Sequence, residues 1–226
     1  VYKRQMLSSE YATYLSGRCI EIKMLPLSFS EFITFHDFEI RETKSALGGT
    51  RKQVFDKMDQ DSALLLFSGI ELHVSADEYL PFEANRNFFY LTGLRRDHMI
   101  LMMKKTAKEE KSILFIEEAD LNQERWFGRK VTVSEAQEIT GIDDVRFLDS
   151  FEGMVNRLMA REDIGTLYFD CYRYQVEDLP DYNMVKAEEF AKKFPGRPIK
   201  NIAPVIAALR MQKDEDEIAL VRQAIK

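Results

Sequence analysis

Four short apolar runs, 62–70, 99–104, 112–117 and 166–170, punctuate the chain, and stretches of helical periodicity lie between them. Runs of roughly four to eight such residues have the length of a strand covered on both faces, where no polar alternation is needed. Helices are what cover such strands. Thr132 followed by Glu135 forms a capping box, and Gly141 stops the helix it opens. The segment 151–161 places Phe151, Met154, Val155, Leu158 and Met159 on one face, and 184–194 runs up to the stop Pro195-Gly196. Strands alternating with helices predict an α/β fold with a mixed sheet and flanking helices.

A length of 226 residues suffices for one sizeable core, or for one domain with an appendage. The net charge of -6 argues against a surface that tracks phosphates, so nucleic acid is not an expected partner. Cys19 and Cys171 stand far apart with no CxxC spacing, which excludes a disulfide framework or a zinc knuckle and predicts a reducing, cytoplasmic setting. No apolar stretch approaches the roughly 20 residues of a membrane span, and the start of the chain lacks the pattern of a signal peptide. No membrane partner is expected.

Charge divides the chain unevenly: residues 1–57 carry nine Lys and Arg against seven Asp and Glu, the remainder 23 against 31. The first part reads as pieces, with an apolar run at 19–27 and a basic loop around Gly48-Gly49 at 41–52. The expected organisation is an irregular appendage over 1–57, an α/β domain over 58–205, and a linker helix over 206–226. In the last, Asp214 and Glu217 open a helix that runs through Ile218, Leu220, Val221 and Ile225 to Lys226 without a stop signal. Truncation ahead of another domain is the expectation there. Residues 58–205 are expected to fold as a unit and 1–50 to be protease-sensitive.

Chemistry is sparse. His36, His73 and His98 form no HExxH and no cluster at ligand spacing, so no metal ligand is assigned. The adjacent pairs Glu109-Glu110, Glu117-Glu118 and Asp143-Asp144 point different ways on any regular element, which reads as solvated surface. Gly48-Gly49-Thr50-Arg51-Lys52 lacks the leading glycine of a phosphate loop, although such a fragment could still touch anions. No GxSxG occurs and neither cysteine carries a nucleophile signature, so no catalytic residue and no cofactor are assigned within this chain. The ring-dense stretch 79–93 is expected to pack under the sheet, with Asn85 and Asn87 making turn bonds. Trp126, in Glu124-Arg125-Trp126-Phe127-Gly128-Arg129, has two open readings: a contact residue at a loop tip, or a buried ring.

Taken in order, Ser62-Ala63-Leu64-Leu65-Leu66-Phe67-Ser68-Gly69, the stretch 79–93, Trp126-Phe127-Gly128-Arg129 and Leu209-Arg210-Met211-Gln212-Lys213-Asp214-Glu215-Asp216-Glu217-Ile218 resemble the N-terminal domain of aminopeptidase P. This is the Xaa-Pro aminopeptidase group of the creatinase and prolidase superfamily, and the resemblance spans about 58–226. It implies a creatinase-like α/β layer packed on a pita-bread catalytic domain, where two Asp, one His and two Glu hold a pair of Mn ions. Two bridged metals would activate water and polarise the carbonyl of the bond before proline, making the parent a metallopeptidase hydrolase. Proline's tertiary amide has no N–H, so its pocket must be shaped for the ring. All those metal ligands belong to the second domain. The resemblance therefore implies a non-catalytic domain serving assembly and active-site access, inactive alone. Its partners would be the catalytic domain, further copies of itself in a homo-oligomer, and a peptide substrate with proline second. Trp126 matches a tryptophan that in some members reaches a neighbouring subunit's active site, and is the one substrate-binding residue carried over.

The first part resembles something else. Met6-Leu7-Ser8-Ser9, Leu15-Ser16-Gly17-Arg18, the stretch 21–29 and Glu39-Ile40-Arg41-Glu42-Thr43-Lys44 are similar to an internal stretch of a prokaryotic AAA-type ATPase, assigned to 6–57. The phosphate loop and acidic Mg²⁺ residue of that family are not in this stretch, so ATP hydrolysis is not implied. Val1-Tyr2-Lys3-Arg4-Gln5 is similar to one reading frame of a transposon end used in sequencing libraries. A fused reading frame is the expectation, with its junction between 49 and 58. Two alternatives stay open: an ATPase-derived fragment, and a free-standing interaction module using the rings around Trp126.

Overall fold

Every residue of Ser62–Phe67 (β1) is buried, and the sheet is built outward from this strand. The computed structural model describes residues 44–75, 78–119, 129–160, 164–213, 215, 217, 218 and 222. These lie in the second of the two units into which the chain divides, Glu42–Lys226. A helix, Lys44–Lys57 (α1), precedes β1. After it come a small hairpin, His73–Ser75 (β2) and Glu78–Tyr79 (β3), and the short helix Arg86–Thr92 (α2). The strands Ile100–Lys105 (β4) and Glu110–Ile116 (β5) follow, then the helix Val133–Thr140 (α3), the strand Asp144–Phe147 (β6) and the helix Phe151–Ala160 (α4). The chain continues through Thr166–Phe169 (β7), Tyr182–Lys193 (α5), Ile199–Asn201 (β8) and Ala203–Met211 (α6).

The six-stranded sheet has the order β6-β5-β4-β1-β7-β8. β4 runs antiparallel to β1 and to β5, while β7 lies parallel to β1, β6 to β5 and β8 to β7. The sheet is therefore mixed, as the pattern of runs predicts. Because side chains alternate along a strand, each apolar run supplies two cores at once. Leu64, Leu66, Leu101, Met103, Leu114 and Ile116 face one way, against residues of α1, α2, α3 and α6. Leu65, Phe67, Met102, Phe115, Leu167 and Phe169 face the other, against Phe151, Val155 and Met159 of α4 and Phe190 of α5. At about 1.5–3 kcal/mol for each fully buried large side chain, this double coverage is the main source of stability. It also explains why β1 shows no polar alternation.

The capping box is present as predicted: Thr132 and Glu135 bond each other's backbone, and Gly141 closes α3 in the left-handed conformation. The basic loop predicted at 41–52 is corrected, since the chain is helical from Lys44 onward. α1 buries Leu47, Arg51, Val54 and Phe55, and the interval 49–58 named for a junction lies within it and just past its end. Sequence reasoning misses α1 because Gly48 and Gly49 sit in its interior, where each glycine costs roughly 0.5–1 kcal/mol against alanine, and because its apolar face is interrupted by Arg51. Tertiary packing offsets that weakness. At the other end, α6 stops at Met211, and Glu215, Glu217, Ile218 and Arg222 are helical beyond a break at Gln212-Lys213. The span 206–226 is thus not one helix.

Candidate functional site

β1 outruns its parallel neighbour. The pairing with β7 ends at Leu64 opposite Tyr168, so the backbone of Phe67 meets no strand on that side. The carboxamide of Asn183, on α5, takes the strand's place. Phe67 N–H donates to Asn183 Oδ1 at 2.8 Å, and Asn183 Nδ2 donates to Phe67 O at 3.0 Å. A primary amide presents a donor and an acceptor side by side, as a peptide unit does, and Asn183 is 1% exposed. The connection after β1 leads to α2 on one face of the sheet, and the connection after β7 leads to α5 on the other. Two adjacent parallel strands whose connections part in this way open a crevice at their carboxyl ends, where open α/β sheets place their ligands.

At the carboxyl end of β7 lies a buried network of amides around one acid. Asp170, next after β7, is 1% exposed, and its Oδ2 accepts from Asn85 Nδ2 at 2.9 Å and from Asn87 Nδ2 at 3.0 Å. Asn85 is also the N-cap of α2, its Oδ1 accepting the backbone N–H of Asn87 and of Phe88. Asn87 Oδ1 in turn accepts from Arg210 Nη1 at 3.0 Å, and the Arg210 guanidinium lies 5.8 Å from the centre of the Tyr90 ring. One chain of bonds thus runs from the end of α6 through the head of α2 to the end of β7. Burial pushes the Asp170 carboxyl above the ordinary carboxylate range, against the two amide bonds and the charge of Arg210. Burial likewise raises Asp181, the N-cap of α5, with Asp170 contributing. The Cys171 thiol is pushed up by burial, then by Asp170 and Asp181. A thiol held protonated is no nucleophile, and no histidine belongs to this network. The arrangement orients the ends of β7, α2 and α6 against one another.

A second buried cation sits on α1. Arg51 is 5% exposed, and it donates to Leu91 O at 2.9 Å and Thr140 O at 2.8 Å, carbonyls in the last turns of α2 and α3. Burial pushes its pKa down to about 10. The anion contact allowed for the 48–52 fragment is therefore corrected for Arg51, whose guanidinium serves helix ends instead. On the opposite face of the sheet a cavity of about 220 Å³ opens between α4 and α5 over Phe67, Tyr182 and Phe190. Its rim charges already have partners, Lys186 with Glu189 at 2.7 Å and Lys193 with Glu152 at 3.7 Å.

Of the residues singled out from the sequence, Trp126 lies outside the described residues. Nearby Arg129 is exposed and pairs with Glu135 at 2.6 Å. Asn85 makes the predicted turn bonds, whereas the side chain of Asn87 reaches across to Asp170 and Arg210. Phe88 and Leu91 pack under the sheet as expected, but Tyr79 and Leu80 are 38% and 51% exposed, because β3 pairs only with β2. The acidic pairs are surface ion-pair partners: Glu110 with Lys52, Glu117 with Lys130, Asp144 with Arg146 and Lys111. Among the described residues no group of three His, Cys, Asp or Glu side chains is placed to hold a metal ion. Sequence reasoning passes over Asn183 and the crevice itself, and meets Arg210 only as part of the family motif at 209–218. An acid ending the apolar run 166–170 was the available signal for Asp170; nothing local marks Asn183.

Comparison with known proteins decides the family. The model of the aminopeptidase P N-terminal domain matches residues 49–168, more than half of the chain. The chain belongs to that family. The aminopeptidase P domain so delimited takes in the end of α1, including 49–57 of the stretch likened to an ATPase. Among curated relatives, the Xaa-Pro aminopeptidase of Haemophilus influenzae is 29% identical over 174 residues, covering 77% of this chain and 38% of that protein. The Xaa-Pro aminopeptidase of Escherichia coli is 28% identical over 178 residues, covering 77% and 40%. A solved structure from Bacillus anthracis assigned to aminopeptidase P superposes with a TM-score of 0.76 at 31% identity, over 80% of this chain and 43% of that one. Zn-substituted Escherichia coli aminopeptidase P in complex with product gives 0.64 at 25% identity, over 80% and 42%. The chain spans about two fifths of the length of these relatives.

Proposed function

We propose that the chain serves a Xaa-Pro aminopeptidase as its non-catalytic N-terminal domain, acting in assembly and in access to an active site carried elsewhere. The observation that carries this reading is coverage: the likeness takes in 80% of this chain but only 43% of the Bacillus anthracis structure. In the parent enzyme the remaining domain would hold two Mn ions and hydrolyse the bond between an N-terminal residue and a following proline. The residues described in this chain bring no ligand set for such a centre, so no chemical step is assigned to them. An assembly role is supported by the loop after β7, where Tyr172, Tyr174, Val176 and Leu179 are 58%, 78%, 83% and 90% exposed. Apolar surface of that kind marks contact with another protein surface. Trp126 is assigned to the wall of a neighbouring subunit's substrate site in a homo-oligomer. A cytoplasmic setting fits the sparse cysteines, and no helix among the described residues is long and apolar enough to cross a membrane. For residues 6–48, outside the matched family model, the AAA-type likeness is proposed as a remnant without ATPase activity.

Two measurements test this. The purified chain, given Mn²⁺ and a Xaa-Pro peptide, is expected to release no N-terminal residue, and metal-dependent release would overturn the non-catalytic reading. Residues 44–213 exchanged for the matching portion of the Haemophilus influenzae enzyme are expected to preserve Xaa-Pro cleavage. A folded, metal-loaded hybrid without activity would refute the proposed role.

A further inference from the structure

Asp170 is the one buried polar side chain among the described residues with an atom left over. Its Oδ2 accepts two amide bonds, while Oδ1 is buried without a partner. Buried carboxylate oxygens are rarely left unpaired, and a buried ionised carboxylate without a cation in contact is costly. The groups facing it come from every element around the crevice. Arg210 arrives from α6 but bonds Asn87 rather than the acid. α2 presents the neutral amides of Asn85 and Asn87, and Arg86 between them is exposed. Asp181, at the head of α5, and the neighbouring Cys171 add only acidic groups. Burial penalises the charged acid more than the neutral one, whose Oδ1 hydroxyl also meets no acceptor.

We propose that Asp170 is a proton-held latch: with Oδ1 protonated, the Arg210 guanidinium rests on Asn87, and ionisation re-aims it at the carboxylate, moving the end of α6. The proton leaves to solvent and no other bond changes. Burial favours the protonated form, against the two amide bonds and the charge of Arg210. The latch matters because Arg210 stands one residue before Met211, where α6 ends and the chain turns at Gln212-Lys213. A pH-dependent tilt of that end would be passed to whatever follows it. This inference goes beyond the enzyme reading and does not depend on it.

The test is titration of the full chain by NMR, following the Asp170 carboxyl carbon and the Arg210 Nε–Hε signal together. The expected result is a carboxyl midpoint above the ordinary value of about 3.9, with the Arg210 signal shifting at the same midpoint and that shift lost in Asp170→Asn. Asparagine mimics the protonated acid, accepting both amide bonds with one atom and placing a donor where Oδ1 stands. Urea unfolding gives an independent sign. Below about pH 4 the acid is protonated in both states and wild type should match Asp170→Asn. As the pH rises toward the folded midpoint, the unfolded chain ionises first, so wild type should lose ground to the variant and then level off. A midpoint at or below the ordinary value overturns the proposal, as does a wild type that gains on the variant with rising pH. A high midpoint that Arg210 does not follow overturns the latch as well. If Asp170→Asn does not fold, the two wild-type signals alone decide.

Discussion

Arg51→Met is the substitution that most directly tests whether α1 is part of this domain. The wild-type guanidinium makes two charge-assisted bonds to helix-end carbonyls, worth roughly 1.5–3 kcal/mol each. Against them stands the burial that lowers its pKa to about 10, which at about 1.4 kcal/mol per tenfold amounts to ~3 kcal/mol. Methionine keeps the apolar stem, loses both bonds and is relieved of that burial, so the net loss is about 2 kcal/mol. Alanine also removes the stem and should cost ~4 kcal/mol, at about 0.8 kcal/mol per methylene. Lysine can serve only one carbonyl and should fall between wild type and methionine. In a domain of this size about 2 kcal/mol lowers Tm by roughly 4–8 °C, readily measured by circular dichroism. A methionine variant within about 0.5 kcal/mol of wild type would refute the reasoning. So would a limited-proteolysis product that begins at 58 and melts like the full chain, since α1 would then contribute nothing.

Further outcomes are expected. Asn183→Ala removes the amide that stands in for a strand and leaves the N–H and C=O of Phe67 unpaired; a loss of about 2–4 kcal/mol in urea unfolding is expected, and a neutral result would show that the end of β1 is solvated. Asp144 is held down to about 2 by the Arg146 guanidinium first and the Lys111 ammonium second. Its folded value is depressed, so its contribution is present above about pH 4 and lost as the pH falls toward about 2. Asp144→Asn should flatten that part of the acid-unfolding curve, and an unchanged curve would remove the ion pair from the account.

Legibility in the sequence followed the range of the interaction. The strands β1, β4, β5 and β7 were visible because burial on both faces writes itself as an uninterrupted apolar run. α3 was visible because both of its caps are made by residues within nine positions. β6 and β8 were not, since edge strands of four and three residues bury too little to leave a pattern. α2 was hidden in a ring-rich stretch read only as packing under the sheet, although its cap, Asn85, had been noticed for its turn bonds. Of the candidate site, the family motifs led to the right neighbourhood, while Asp170, Asn183 and Arg210 stood in no local pattern with one another.

What the amino-acid order determined by itself was the set of elements that could only be stable when covered, and the kind of layered fold that covers them. Which strand lies beside which was decided in three dimensions. Leu64 pairs with Tyr168 across more than a hundred residues, and it is this adjacency, with connections leaving to opposite faces, that opens the crevice. Arg51 and Asp170 show the same division: an ionisable side chain carries no local instruction to be buried, and only the helix ends and amides brought to it by the folded chain make its burial tolerable.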